Sequence, residues 1–196
     1  MYSVYDYGAM AADGVRMSAY ARALAQAVRP GSAVLDIGCG TGIFTLMALR
    51  AGARHVYAVD TNPSVWLVPR LVAENGLDPA RVTIFHRSSY DVTLPEKVDV
   101  IVSDMRGTSP LCGDHVGAVR DARTRFLAPG GTLIPQRDRM MVGLAESFLL
   151  EAAFARTWQS FERLGFSANA AREAILNSLY SDNAAPLSAS DLLTGG

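Results

Sequence analysis

The sequence predicts an α/β domain built on a doubly wound, mostly parallel β-sheet with helices on both faces. From Ser32 to Gly131, short runs rich in Val and Ile alternate with longer helical segments. Several of the short runs are continuously apolar, as strands covered on both faces should be. The length of 196 residues suits one such domain with a short appendage.

Five strands and their connecting helices follow from this alternation. The strands are predicted at residues 33–37, 55–59, 82–86, 98–103 and 132–135. The helices between them are predicted at residues 43–51, 63–75 and 115–127, each followed by glycine within a few residues. Helical spacing of apolar residues also predicts a helix over residues 10–28, and further helices are predicted at 148–164 and 170–180.

Bulk composition argues against several functional classes. The 18 basic and 19 acidic residues leave a net charge of −1, so nothing attracts the whole chain to nucleic acid or to an anionic membrane, and a local basic patch is the alternative. The N-terminal residues do not form a secretory signal, and no apolar run reaches the roughly 20 residues of a membrane span. Two cysteines, Cys39 and Cys112, make neither a disulfide framework nor a zinc site. We expect a cytoplasmic protein without a metal.

The first predicted strand runs into three alternate glycines, in the sequence Val34-Leu35-Asp36-Ile37-Gly38-Cys39-Gly40-Thr41-Gly42. Glycines allow a tight turn with positive φ and let a ligand approach bare backbone. A dinucleotide would place a pyrophosphate here, which suits Asp36 poorly, and its fingerprint needs glycine where Ile43 stands. The cationic ammonium and sulfonium of S-adenosylmethionine suit Asp36 better. We therefore predict that S-adenosylmethionine binds here, with Asp36, Gly38, Cys39 and Gly40 as contacts.

Polar residues follow the next two predicted strands. Asp60, about 20 residues after the glycine loop, is placed to accept hydrogen bonds from ribose hydroxyls, with Thr61 beside it. Asp60 could instead cap the helix that starts at Pro63, although Asn62 could do this while Asp60 binds ribose. Ser89 and Tyr90 follow the third strand, where the adenine is expected. A solvated loop is the alternative for these two residues.

With these motifs placed, the chain resembles the protein arginine methyltransferases, especially their bacterial relatives, within the Rossmann-like class I methyltransferase fold. The resemblance rests on Met10-Ala11-Ala12-Asp13-Gly14-Val15-Arg16, on Val98-Asp99-Val100-Ile101-Val102-Ser103-Asp104 and on Leu127-Ala128-Pro129-Gly130-Gly131-Thr132-Leu133-Ile134-Pro135. It implies that Met10 lies over the sulfonium and that Arg16 grips the methionine carboxylate. A fixed guanidinium can indeed hold a carboxylate through two hydrogen bonds, although a solvated arginine on a helix face is the alternative.

The resemblance also implies an acidic acceptor site, from which this chain departs. The family holds a substrate guanidinium between two glutamates; here the first position is Asp104, and the second is Gly113, with Asp114 displaced by one residue. Arg106 adds a positive charge to the same loop. The resemblance divides the chain into a cofactor-covering segment (1–30), a cofactor-binding core (31–146) and an extension (147–196). We expect the extension to be the start of a truncated substrate domain, and a naturally short relative is the alternative.

Two functions of different classes follow. The first is an S-adenosylmethionine-dependent methyltransferase acting on a nitrogen or oxygen nucleophile, an arginine-like side chain or a small amine, with Asp104 and Asp114 as catalytic residues. His115 could serve as a base, although a structural role is the alternative. The second function is a cofactor-binding module with little turnover, which acts through self-association as a homodimer or through a partner. A nicotinamide dehydrogenase ranks third, because this chain has Ile43 where the dinucleotide-binding fingerprint requires a glycine.

Overall fold

The computed structural model describes residues 2–107, 111, 113–146, 156, 158–177 and 188–193. It divides into two compact units, Met1–Asp138 and Arg139–Gly196. The first unit therefore contains both the predicted N-terminal segment and most of the predicted cofactor-binding core. The division falls a few residues before the boundary that we predicted after residue 146.

A five-stranded, fully parallel sheet forms the centre of the first unit. Its strands are β1 (Ala33–Ile37), β2 (His55–Asp60), β3 (Val82–His86), β4 (Val98–Ser103) and β5 (Leu127–Ile134). They lie in the order β3-β2-β1-β4-β5. The strand order reverses direction at β1, since β2 lies on one side of it and β4 on the other. A reversal of this kind opens a crevice at the carboxyl ends of the strands, and α/β sheets bind their ligands in that crevice. The doubly wound prediction is confirmed; β5 begins earlier than predicted, at Leu127.

The helices of this unit differ from the predicted ones mainly at their ends. They are α1 (Val4–Ala11), α2 (Gly14–Ala27), α3 (Ile43–Arg50), α4 (Val68–Glu74) and α5 (His115–Phe126). The single helix predicted over 10–28 is wrong, because Asp13 accepts the backbone N–H of Arg16 at 3.0 Å and starts a new helix at Gly14. The segment predicted at 63–75 begins as a 3₁₀-helix, Pro63–Leu67, and becomes α4 one residue before Pro69. Proline is tolerated at that position because the first helical N–H groups have no intrahelical partner.

Apolar cores cover both faces of the sheet. One buried cluster joins α2, α3 and α4 to the sheet through Leu24, Ala48 and Val68, among others. The other joins α5 to the opposite face through residues such as Ala122 and Phe126. Helices therefore shield the strands on both sides, which explains why the strands are rich in apolar residues on both faces.

The second unit has less regular structure among its described residues. It contains the short helices Gln159–Arg163 and Asn169–Leu176 and an antiparallel bridge between Ala145 and Leu192. Residues 148–155, 157 and 178–180 of the helices predicted at 148–164 and 170–180 lie outside the described residues. Among the helices that the structure describes, none has the length and apolar character needed to cross a bilayer.

Candidate functional site

The glycine loop follows β1 and is held in place by the end of β2. The backbone N–H groups of Gly38 and Cys39 both donate to the carbonyl oxygen of Val59, at 2.8 and 3.2 Å. The N–H of Gly40 donates to Asp60 Oδ2 at 2.6 Å. The loop thus turns over the tip of β2, and the carboxylate that was predicted to bind ribose also fixes the loop.

Two of the loop glycines cannot be replaced without a clash, because other side chains contact their backbone closely. Gly38 and Gly40 have φ angles of +73° and +53°, which favour glycine. A Cβ at Gly38 would lie 2.3 Å from Cγ of Met105, and a Cβ at Gly40 would lie 2.3 Å from Cε1 of Tyr7. Tyr7 on α1 and Met105 after β4 therefore cover the loop at van der Waals distance.

Two cavities open beside this loop at the carboxyl edge of the sheet. The larger, of about 300 Å³, lies towards α1 and α2. The smaller, of about 170 Å³, lies towards the end of β3 and the start of α5. Both are lined by Gly38, Asp60 and Met105. They are therefore two neighbouring parts of one cleft, with Asp60 and Met105 at their junction.

Most of the predicted site residues line this cleft. Met10, Arg16, Gly38, Cys39, Asp60 and Asp104 line the larger cavity. Gly38, Asp60, Thr61, Ser89, Tyr90 and Asp114 line the smaller one. The two predicted catalytic carboxylates, of Asp104 and Asp114, thus line different cavities. Gly40 lies beneath Tyr7, and Asp36 is not among the lining residues of either cavity.

Asp36 is completely buried beneath the loop. Its Oδ2 accepts a hydrogen bond from Thr45 Oγ1 at 2.7 Å, whereas its Oδ1 has no partner within the described part of the chain. Burial raises the pKa of Asp36 to about 7; the bond from Thr45 opposes this shift and the nearby charge of Asp60 adds to it. A direct contact between Asp36 and a cofactor stays a prediction. In the structure this side chain joins β1 to α3, the two elements that flank the glycine loop, through its hydrogen bond with Thr45.

Two arginines and a tyrosine surround Asp104 at the end of β4. Arg16 Nη1 donates to Asp104 Oδ2 at 3.3 Å, and Arg106 Nη2 donates to Oδ1 at 3.1 Å. The hydroxyl of Tyr20 donates to the same Oδ1 at 3.0 Å, and burial together with Asp104 raises the pKa of Tyr20, so this phenol stays protonated. Arg106 Nη1 also donates to Asp138 Oδ1. Both oxygens of Asp104 are therefore bound by cationic side chains of the same chain.

The smaller cavity is shaped by contacts between α5 and the loop after β3. A Cβ at Gly117 would lie 2.4 Å from Asp114 Oδ1 and 2.7 Å from the hydroxyl of Tyr90. The hydrogen bond to Asp114 is the main cause of the raised pKa of Tyr90. Arg125 donates to the carbonyl oxygens of Ser89 and Val92, each at 2.7 Å. These contacts fix the end of β3 at the cavity wall.

His115, the candidate base, also lines the smaller cavity. It is buried, and its Nδ1 has no hydrogen-bond partner among the described residues. Burial, followed by the charge of Arg106, lowers the pKa of His115. The imidazole is therefore neutral near pH 7, which a base requires.

Sequence reasoning missed Tyr7, Met105, Tyr20 and Arg125. Tyr7 lies three residues before Met10, so it shares a helix face with that residue, and this spacing was a usable signal. Met105 directly follows Asp104 at a strand end, which was a second signal. The contacts of Tyr20 and Arg125 join residues far apart in the sequence, and no local pattern indicates them.

Comparison with known proteins gives a consistent family. The family described as "Ribosomal protein L11 methyltransferase (PrmA)" matches residues 18–134. A probable protein arginine N-methyltransferase 6 of Arabidopsis thaliana is 38% identical over 128 residues, which cover 64% of this chain and 29% of the relative. The family model and this relative confirm the resemblance to protein arginine methyltransferases.

Two solved structures agree. Protein arginine methyltransferase 10 of A. thaliana superposes with a TM-score of 0.71 at 32% identity, over 88% of this chain and 53% of that chain. The Trypanosoma brucei PRMT1 enzyme–prozyme heterotetrameric complex with AdoHcy (S-adenosylhomocysteine) superposes with a TM-score of 0.58 at 32% identity, over 63% and 39%. The chain thus spans about half or less of the length of these proteins. They confirm the class I methyltransferase fold.

Proposed function

This chain belongs to the ribosomal protein L11 methyltransferase (PrmA) family of methyltransferases, with protein arginine N-methyltransferases among its relatives, and on that premise we propose that it binds S-adenosylmethionine and transfers its methyl group to a nitrogen or oxygen nucleophile. The observation that carries the proposal is the two-part cleft with Asp60 at its junction. One part presents the guanidinium of Arg16, and the other presents the polar residues at the end of β3.

The groups in this cleft match the chemistry of the cofactor. Each oxygen of Asp60 accepts one backbone N–H, from Gly40 or from Asn62, and a carboxylate has about four acceptor sites, so it can still accept ribose hydroxyls. Arg16 suits the cofactor's carboxylate. Met10 supplies an apolar, polarizable side chain in the same cavity as Arg16, and Ser89 and Tyr90 are assigned to the adenine side.

When bound, the cofactor supplies a methyl group on a sulfonium, which is a good leaving group. The chain therefore mainly has to hold the acceptor in line and exclude water, a contribution of several kcal/mol. Tyr7 and Met105, packed on the glycine loop, close the cleft from the side of α1 and β4. Asp104 is proposed to position the acceptor at the larger cavity. His115 is neutral but lines the smaller cavity, on the side proposed for adenine, so the arrangement gives it no direct role in deprotonating that acceptor.

Calorimetry with S-adenosylhomocysteine tests cofactor binding directly. We expect saturable binding to the purified chain at one site and no response to NADH. Binding of NADH without binding of S-adenosylhomocysteine would exclude the proposed function.

A second function, cofactor binding with little turnover, is favoured by the environment of Asp104. Both oxygens of this carboxylate already bind Arg16 and Arg106, so it has little remaining attraction for a cationic acceptor. Methyl-transfer assays on an arginine-rich peptide and on uncharged nitrogen and oxygen acceptors, run beside the binding measurement, separate the two functions. Robust turnover that Asp104→Asn abolishes would exclude the second.

Association and location belong to the same proposal. The T. brucei relative forms a heterotetramer, and this supports a chain that associates with itself or with a partner. We propose a homodimer, for which sedimentation velocity at several concentrations is the test. We also place the protein in the cytoplasm, which cell fractionation with a specific antibody checks.

A further inference from the structure

The side chain of Arg106 occupies an acidic recess next to the larger cavity. Its Nη2 donates to Asp104 Oδ1 at 3.1 Å and to the Tyr20 hydroxyl at 2.7 Å, and its Nη1 donates to Asp138 Oδ1. A planar guanidinium held by two carboxylates and a phenol oxygen is the arrangement of a guanidinium-binding site. The occupant of this site is part of the protein itself.

Each carboxylate around this recess already pairs with an arginine. Arg106 pairs with Asp104 and Asp138, and Arg16 pairs with Asp104 and with the half-exposed Asp13. The side chains of Arg106 and Asp104 are 24% and 17% exposed, so water screens them only partly. A further cation that enters here finds no uncompensated carboxylate and lies close to a fixed guanidinium.

We infer that Arg106 is a specificity-determining residue that excludes guanidinium-bearing acceptors, so that the acceptor of this chain carries no positive charge on its accepting group. The statement about the acceptor rests on the proposed methyl transfer, whereas the exclusion of a guanidinium by Arg106 is a statement about binding and can be tested without it. At an effective dielectric near 20, a like charge about 6 Å away weakens cation binding on the order of 100-fold.

The decisive comparison replaces Arg106 by residues of similar length with and without charge. Arg106→Met removes the charge and leaves Asp104 and Asp138 open to an external guanidinium. Arg106→Lys keeps the charge. Arg70→Met is the matched control, because Arg70 lies on the surface, 79% exposed in a pair with Glu74, away from the cleft. The probe is ethylguanidinium chloride, titrated by calorimetry and by NMR shifts, with and without saturating S-adenosylhomocysteine.

We expect Arg106→Met to bind ethylguanidinium at least 10-fold more tightly than the wild type, Arg106→Lys or Arg70→Met, in line with the removal of a like charge. Equal binding by Arg106→Met and the wild type would overturn the inference. The wild type supplies an independent decision if Arg106→Met fails to fold: methylation of an arginine peptide by the wild type would overturn the inference without any variant. Failure to bind S-adenosylhomocysteine rejects the proposed function instead, and the titrations without that ligand still decide the role of Arg106.

Discussion

The carboxylate of Asp60 accepts the backbone N–H of Gly40 at 2.6 Å through one oxygen and that of Asn62 at 2.7 Å through the other. The tip of β2 thereby fixes the glycine loop that follows β1 and also the turn into the next helical segment. The helical segment that starts at Pro63 is capped by Asn62, whose Oδ1 accepts the N–H of Ser64 at 2.9 Å, so the capping role that the sequence left open for Asp60 belongs to Asn62. The contact of Asp60 with a ribose stays a prediction.

Asp60→Ala is expected to weaken S-adenosylhomocysteine binding by about 1–3 kcal/mol, because a charged hydrogen-bond acceptor is lost. Asp60→Asn keeps one acceptor and should have a smaller effect. The measurement is calorimetry, with urea unfolding to record the change in stability. Asp78→Ala is the matched control, since exposed Asp78 caps a short helix far from the cleft by accepting the N–H of Ala80 at 2.9 Å. An unchanged affinity in Asp60→Ala would leave Asp60 with only the role of holding the backbone of Gly40 and Asn62.

Gly40→Ala is expected to destabilise the loop more than a glycine-to-alanine change does at other left-handed positions. Gly76→Ala is the reference: its φ is +69° and no atom lies within 4 Å of the added Cβ, so it reports the backbone cost of about 1–2 kcal/mol. At Gly40 the added Cβ also clashes with the Tyr7 ring. Urea unfolding measures both variants, and combining Gly40→Ala with Tyr7→Ala should recover part of the excess loss. No recovery in the double variant would mean that Tyr7 does not pack on Gly40.

The main elements of the fold could be predicted from the sequence because they depend on local patterns. Short runs rich in Val and Ile, alternating with longer helical segments, identified all five strands, and Gly38 and Gly40 marked the loop. The break between α1 and α2 was missed because Met10 and Met17 keep a helical spacing across it, although Asp13 followed by Gly14 was a capping signal. The early start of β5 was missed because Pro129 and two glycines argue against a strand.

Asp36 makes the stability of the protein depend on pH. Its pKa is raised from 3.8 to about 7, so between these values the folded chain holds a proton that the unfolded chain has lost. Stability therefore falls as the pH rises from about 4 to about 7 and then levels off, by roughly 2–4 kcal/mol in total. Urea unfolding of the cofactor-free protein at a series of pH values measures the decline. Asp36→Asn, which can still accept from Thr45, should remove it, and an equal decline in this variant would assign it to other groups.

Arg125 is expected to support the adenine-side cavity at a distance. It binds the carbonyl oxygens of Ser89 and Val92 and pairs with Asp121, so Arg125→Met leaves these groups without their donor. We expect a loss of about 1–3 kcal/mol in unfolding free energy and weaker cofactor binding. Arg123→Met on the exposed face of the same helix is the control. Equal behaviour of the two variants would show that Arg125 does not hold this loop.

The candidate site could be predicted only as far as local motifs reach. Asp60, Ser89 and Tyr90 were found because each follows a strand, and parallel strands bring their ends together. That Arg16 and Arg106 both bind Asp104 depends on the packing of α2 beside β4, which no spacing in the sequence encodes. The sequence did show a positive charge near Asp104, but only the distances show that it neutralises that carboxylate.

Arg16 lines the proposed cofactor cavity and also donates to Oδ2 of Asp104, the carboxylate proposed to position the acceptor. The same guanidinium would therefore face the cofactor and hold a residue of the acceptor side. A cofactor carboxylate that pairs with the Arg16 guanidinium would change the electrostatic potential at Asp104, next to the proposed position of the acceptor. The binding free energies of cofactor and acceptor are then linked, and such linkage is reciprocal, so each ligand alters the affinity for the other by the same factor. Removal of the Arg16 charge would therefore make the two binding events more nearly independent as well as weakening the first of them.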